Sequence, residues 1–184
     1  MERGHPSTSL RLLSMLALAL AGCGVVDKPD GGSDGGELWP EGTLELGGEL
    51  PDGGGFTTLA PEVEATPGAQ GGFHVPVMYR VTGKAVNGVV FEHKVRRASD
   101  NVLVSKGTRT LDVTPVAAGQ SWTTPGAVII FLCPTPVGVS VVGEALNFEV
   151  TAATKGGQLL GTAGASSTFR CPAGDAFCDS ICRG

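Results

Sequence analysis

Apolar and polar residues alternate along Phe73–Val81. Phe73, Val75, Val77, Tyr79 and Val81 share one face; His74, Pro76, Met78 and Arg80 share the other. A period of two predicts a half-buried strand. Pro76 cannot donate to a ladder, so it predicts an edge strand or a bulge. Val89–Arg97 repeats the pattern, with Val89, Phe91, His93 and Val95 opposed to Glu92, Lys94 and Arg96. Ala98–Asn101 is turn chemistry, and a return strand runs from Val102 towards Val113, with a bend or bulge at Gly107. Ala127–Cys133 is continuously apolar and β-branched, which predicts a central strand buried on both sides. Val139–Val142 and Leu146–Thr151 follow as further short strands. Lys155-Gly156-Gly157 is a hairpin signal, and the chain returns from Gln158 towards Phe169. Beyond the N-terminal region no segment sustains a period of 3.6 over ten residues. Short strands spaced by Gly and Pro turns predict an all-β sandwich.

The stretch Leu146–Phe169 holds Phe-Glu-Val-Thr-Ala and then a Gly-Gly turn. It resembles the last hairpin of immunoglobulin-like or fibronectin-type domains. The resemblance implies a single immunoglobulin-like antiparallel β-sandwich over residues 56–172 and brings no function with it.

The N-terminus reads differently. Arg3 and Arg11 precede an apolar run, Leu12–Leu20. A membrane-spanning helix needs about 20 apolar residues, so this run is a secretory signal rather than a span. It leads into Leu20-Ala21-Gly22-Cys23, which resembles the lipobox of bacterial lipoproteins. The resemblance implies a signal peptide over residues 1–22, a diacylglyceryl group on the Cys23 thiol, and cleavage before Cys23 by signal peptidase II. It also implies acylation of the new amino terminus, for instance by palmitate. Two or more acyl chains hold a protein to a bilayer, where one anchors it only marginally. Gly24 stands where an inner-membrane lipoprotein often carries Asp, so the resemblance favours the outer membrane.

Residues 23–55 read as a lipid-anchored tether. From Gly24 to Gly55 there are 11 Gly, 3 Pro and eight acidic residues against Lys28 alone, a net charge of −7. Glycine at this density opposes regular structure and like charges extend a chain, so a flexible, disordered linker is expected. Pro-Asp-Gly-Gly and Gly-Gly-Glu-Leu each occur twice in it, a low-complexity duplication. Asp30, Asp34, Gly35 and Glu41 match positions 1, 5, 6 and 12 of an EF-hand loop, but Gly32 stands at position 3 and Pro29 and Pro40 deny it flanking helices. Trp39 and Leu38, Leu44, Leu46 and Leu50 are its substantial apolar groups, and contact between them and the domain would move the boundary to about residue 43.

With Cys23 acylated, Cys133, Cys171, Cys178 and Cys182 remain. Four cysteines in an exported chain default to two disulfides. Cys133 and Cys171 each end a predicted strand, which favours 133–171, leaving 178–182 to close a small loop in a tail over residues 173–184. A zinc site fits poorly, because spacings of six and three are not a C-x2-C knuckle.

Composition narrows the function classes. A net charge of −5 argues against nucleic acid as a partner. No G-x-S-x-G, H-E-x-x-H or nucleotide loop occurs, and no cofactor or metal is implied. His5 leaves with the signal peptide. His93 reads as a core or rim residue and His74 as solvent-facing. Glu62 and Glu64 share a strand face with no second catalytic feature near them. Lys94, Arg96 and Arg97 read as an exposed strand face. Trp122, in Gln120-Ser-Trp-Thr-Thr-Pro125, is a candidate binding contact or a cap on the core. The chain therefore reads as a non-enzymatic, lipid-anchored envelope module whose partner is an envelope protein or glycan. The alternatives are an envelope enzyme or inhibitor with an unmarked site, or an assembly subunit.

Overall fold

A computed structural model describes residues 43–53, 55–82, 88–115 and 121–184. The lipobox, Cys23, the EF-hand-like positions and Trp39 lie outside the described residues. Along the chain run β1 (Leu44–Glu49), β2 (Phe56–Thr58), β3 (Glu62–Glu64), β4 (Thr66–Pro67), β5 (Phe73–Thr82), β6 (Val89–Arg97), β7 (Leu103–Leu111), β8 (Thr114–Pro115), β9 (Ser121–Thr123), β10 (Val128–Cys133), β11 (Ala145–Ala153) and β12 (Leu159–Arg170), then one helix, α1 (Ala176–Cys182). No helix among the described residues is long and apolar enough to cross a membrane.

The strands form an all-β, two-sheet sandwich. One sheet is ordered β3-β12-β11-β6-β7. The other holds seven strands around β5, with β1 and β4 on one side of it and β9 and β10 on the other. All pairings are antiparallel except β3 with β12, which is parallel. The chain changes sheet at Ala65, whose buried N–H donates to the carbonyl of Arg170 (2.8 Å). The inward faces meet in one core, in which the Tyr79 and Phe91 rings stack across the two sheets with centroids 4.7 Å apart.

Strands β5 and β6 and the β11–β12 hairpin follow the period-two pattern. The hairpin turns where Gly156-Gly157 sits, with Gly157 at a φ of 84°. Other expectations are corrected. The strand bearing Pro76 is the centre of its sheet and is buried on both faces, whereas the continuously apolar β10 is, among the described residues, an edge strand paired only with β5. Ile129 and Phe131 on β10 are 41% and 48% exposed. Val139–Val142 is irregular, although Val141 is fully buried. Gly107 does not bulge; the register shift of the β6–β7 pair falls between Val95 and Arg96.

Of the two expected boundaries, residue 56 and about residue 43, the strands follow the earlier. β1 lies within the segment read as a tether, pairs with β5 along Leu44–Gly47, and buries Leu44 and Leu46 in the core. Gly47 is required by close approach. A Cβ there would lie 2.5 Å from Cζ of Phe56 and collide with the carbonyl of Thr57. A glycine that reads as linker composition is therefore a packing glycine. Glu45 is equally structural, with its carboxylate paired to the Arg80 guanidinium (Nη2–Oε1 2.8 Å).

The tail over residues 173–184 holds the helix α1. Asp175 caps α1 by accepting from the N–H of Cys178 (2.9 Å), and the helix closes one end of the sandwich. The disulfides are Cys133–Cys182 and Cys171–Cys178, which corrects the expected 133–171 and 178–182 pairing. The helix is the cause. Cys178 and Cys182 stand one turn apart on its buried face, so both point inward and each meets a different strand end. The bridges span 49 and 7 residues. Chain entropy assigns them about 4 and about 2 kcal/mol of stabilisation.

Candidate functional site

The four cysteines, Trp122, the histidines, the paired glutamates and the basic face can now be placed. The sulfurs of Cys171, Cys178 and Cys182 lie within 4.8 Å of one another, and those of Cys178 and Cys182 are 3.7 Å apart. That spacing would suit a metal, but each sulfur is bonded in a disulfide, so no thiolate is offered. Trp122 lies in β9 opposite Val81, and directly opposed residues share a face. Its side chain is therefore on the core side and half-buried. Glu62 is held by Arg170 (Nε–Oε2 2.6 Å), both exposed. Lys94 and Lys106 stand opposite each other and share the Glu92 carboxylate at 3.0 and 3.6 Å. That carboxyl is held below the usual range, chiefly by the Lys94 contact. Arg96 and Arg97 donate to backbone carbonyls of Asn101 and Ser140. Lys94 and Arg96 thus lie on the outer, partly solvated face of β6, whereas Arg97, expected on the same exposed face, alternates to the other side, is 17% exposed and is paired to Asp100.

The histidines are separated. His74 does alternate to the outer face of its sheet, but it is buried rather than solvent-facing. The Gly68–Gly72 turn and the Phe131 ring, 5.7 Å away edge-on, cover it. His93 is on the inner face of β6, with its ring over Gly107. Desolvation holds both imidazoles below their ordinary pKa; at His93 the charge of Arg109 adds to the effect and Glu92 opposes it. Nδ1 of His74 and of His93 and the Tyr79 hydroxyl are buried with no hydrogen-bond partner among the described residues. Desolvation, the largest effect, pushes the Tyr79 hydroxyl well above its ordinary range.

The sandwich has two open flanks where an edge of one sheet faces an edge of the other. Between β2 and β3 lies a groove of about 370 Å³, bordered by Glu49, Glu64, Leu50 and Pro76. Between β7 and β10 lies one of about 480 Å³, walled by Leu111, Pro125, Val128, Ile129 and Phe131, with Arg109 as the one charged residue among its described lining. Among the described residues no carboxylate forms an ion pair with Arg109.

The backbone of β10 can be oriented from one hydrogen bond. The N–H of Thr124 donates to the carbonyl of Tyr79 (3.0 Å), so odd-numbered residues of β5 direct their backbone groups towards the β9/β10 side. Val75 and Val77 then bond Ile130 and Val128, their register partners. The N–H and C=O groups of Ile129 and Phe131 point the other way, onto the free edge. The remaining free edges are protected. β2, β3, β4 and β8 are two or three residues long, and β7 carries Lys106 and Arg109. β10 is six residues long and has no charge. An uncharged apolar edge is an open template for another strand. Nothing in the sequence of β10 marked it as an edge; the signal was indirect, in Pro76, its partner.

No family model matches the chain. No curated protein matches it either. Among solved structures it is similar to DesR, a beta-glucosidase from Streptomyces venezuelae in complex with D-glucose, at 18% identity and a TM-score of 0.25. That match covers 58% of this chain and only 14% of the beta-glucosidase, and at this TM-score it carries no argument.

Proposed function

We propose that the chain is a non-catalytic, lipid-anchored module of a bacterial cell envelope that presents its β-sandwich to a partner. The observation that carries the reading is the lipobox Leu20-Ala21-Gly22-Cys23 ahead of a domain stapled by two disulfides. A signal peptide and disulfides both belong to an exported chain, and the lipobox supplies the anchor. The uncharged edge of β10 supports a binding or assembly role. The separation of His74 and His93 onto different sheets and faces supports a role without acid–base chemistry. The partner class is an envelope protein or glycan. The test is Cys23→Ser in a bacterial host. Loss of the protein from membranes, or arrest as the uncleaved precursor, supports the anchor. Unchanged membrane fractionation and gel mobility contradict it.

A further inference from the structure

We propose that the flank between β7 and β10 captures the carboxyl-terminal end of an extended apolar peptide, which adds antiparallel to β10 and places its terminal carboxylate on Arg109. The proposal deepens the binding-module reading and rests on it for its biological setting. Three observations carry it. First, β10 offers the N–H and C=O groups of two residues, Ile129 and Phe131, on an edge with no strand beyond it among the described residues. A peptide gains main-chain hydrogen bonds by adding there. Second, the adjoining groove is apolar apart from Arg109, so it suits an occupant with apolar side chains and one negative charge. An unpaired guanidinium forms strong charge-assisted bonds to a carboxylate.

The third observation fixes direction. Arg109 and Leu111 border the groove beside Pro125–Ile129, whereas Val104 lies beside Leu132 and Cys133 in a neighbouring groove. β7 and β10 thus run in opposite senses, and Arg109 stands at the amino-terminal end of β10. A strand antiparallel to β10 ends at that point, with its carboxylate next to Arg109. A parallel strand would bring an amino terminus there and meet like charge. The antiparallel arrangement is the one that satisfies both the edge and the cation.

The experiment uses the full acylated chain in detergent micelles. The probes are a pool of fluorescein-labelled hexapeptides of alternating valine or isoleucine with threonine, made as free acids, as carboxyl-terminal amides, and with alternate backbone nitrogens methylated. Fluorescence anisotropy is the readout. Saturable binding of free acids below 1 mM is expected, weakened about tenfold by amidation and lost on methylation of the edge-facing nitrogens. Arg109→Gln should remove the difference between acid and amide. Ile129→Pro should abolish binding without breaking the β5 ladder, because the lost N–H faces the free edge. Methylated peptides make the same test on the unaltered protein. Equal binding of acids and amides, or no binding by any member at 1 mM, overturns the proposal. Either result leaves the anchoring test at Cys23 standing, so the two failures are distinguishable.

Discussion

Pro76 lies directly opposite Ile129 in a pair whose backbone groups point away from each other. On its outer side Pro76 falls between the stretch of β5 paired with β4, at Phe73 and His74, and the stretch paired with β1, at Met78–Val81. The missing N–H thus coincides with a missing partner strand. A proline can occupy the central strand of this sheet because the ladder is interrupted at that residue. The same parity leaves the N–H of Ile129 facing outward, so the proline in β5 and the free edge of β10 are two sides of one arrangement.

The inclusion of β1 in the core has a direct test. Leu46→Ala removes a buried side chain between β5 and the facing sheet. A loss of about 2–4 kcal/mol is expected in denaturant unfolding. A change within about 0.5 kcal/mol would return this segment to a linker.

Gly107 leaves room for the His93 ring. A Cβ at that position would lie 2.7 Å from Cε1 and 2.9 Å from Nε2 of the buried imidazole. Gly107→Ala is expected to cost about 1–3 kcal/mol. In the His93→Ala background the cost should fall well below that. Equal costs in the two backgrounds, read from a double-mutant cycle, would show that the ring is not the obstacle.

Both described histidines are held neutral by burial, with pKa values lowered in the folded state. Between those lowered values and the ordinary value near 6.5, the unfolded chain binds protons that the folded chain does not. Stability is therefore fully present above about pH 6.5 and declines as pH falls below it. Melting temperatures across pH 5–8 should show this slope, and His93→Gln should flatten it. A His93→Gln profile parallel to that of the unaltered protein would assign the slope elsewhere.

What was legible in the sequence was whatever depends on neighbours in the chain. The alternation in Phe73–Val81 and Val89–Arg97 and the Gly-Gly turn after Lys155 each record which face is buried or where the backbone reverses. The strand order is set by partners far away in the chain, so the uniform apolar run of β10 looked like a central strand. Its core-facing Val128, Ile130 and Leu132 and its exposed Ile129 and Phe131 have the same chemistry. β1 was legible only as an alternative boundary, through Leu44 and Leu46, because Gly47 and Glu45, which serve close packing and an ion pair, match the composition of a linker. The disulfide partners were hidden because a seven-residue helix, too short to show a period, aims Cys178 and Cys182 in one direction. Of the open flank, Arg109 could not be singled out, since its place opposite β10 comes from sheet-on-sheet packing alone.

The bridges can be mapped by non-reducing proteolysis. Fragments joined through Cys133–Cys182 and Cys171–Cys178 are expected. Replacing both cysteines of the longer bridge with alanine should lower stability by about 4 kcal/mol, against about 2 kcal/mol for the shorter. Fragments joined through Cys133–Cys171 would contradict the fold at this end of the sandwich.

The most direct measurement is the mass of the N-terminal peptide of the chain recovered from bacterial membranes. A peptide beginning at Cys23 and carrying a thioether-linked diacylglyceryl group is expected. An unmodified Cys23, or a chain that begins at another residue, would contradict the account of a lipid-anchored module.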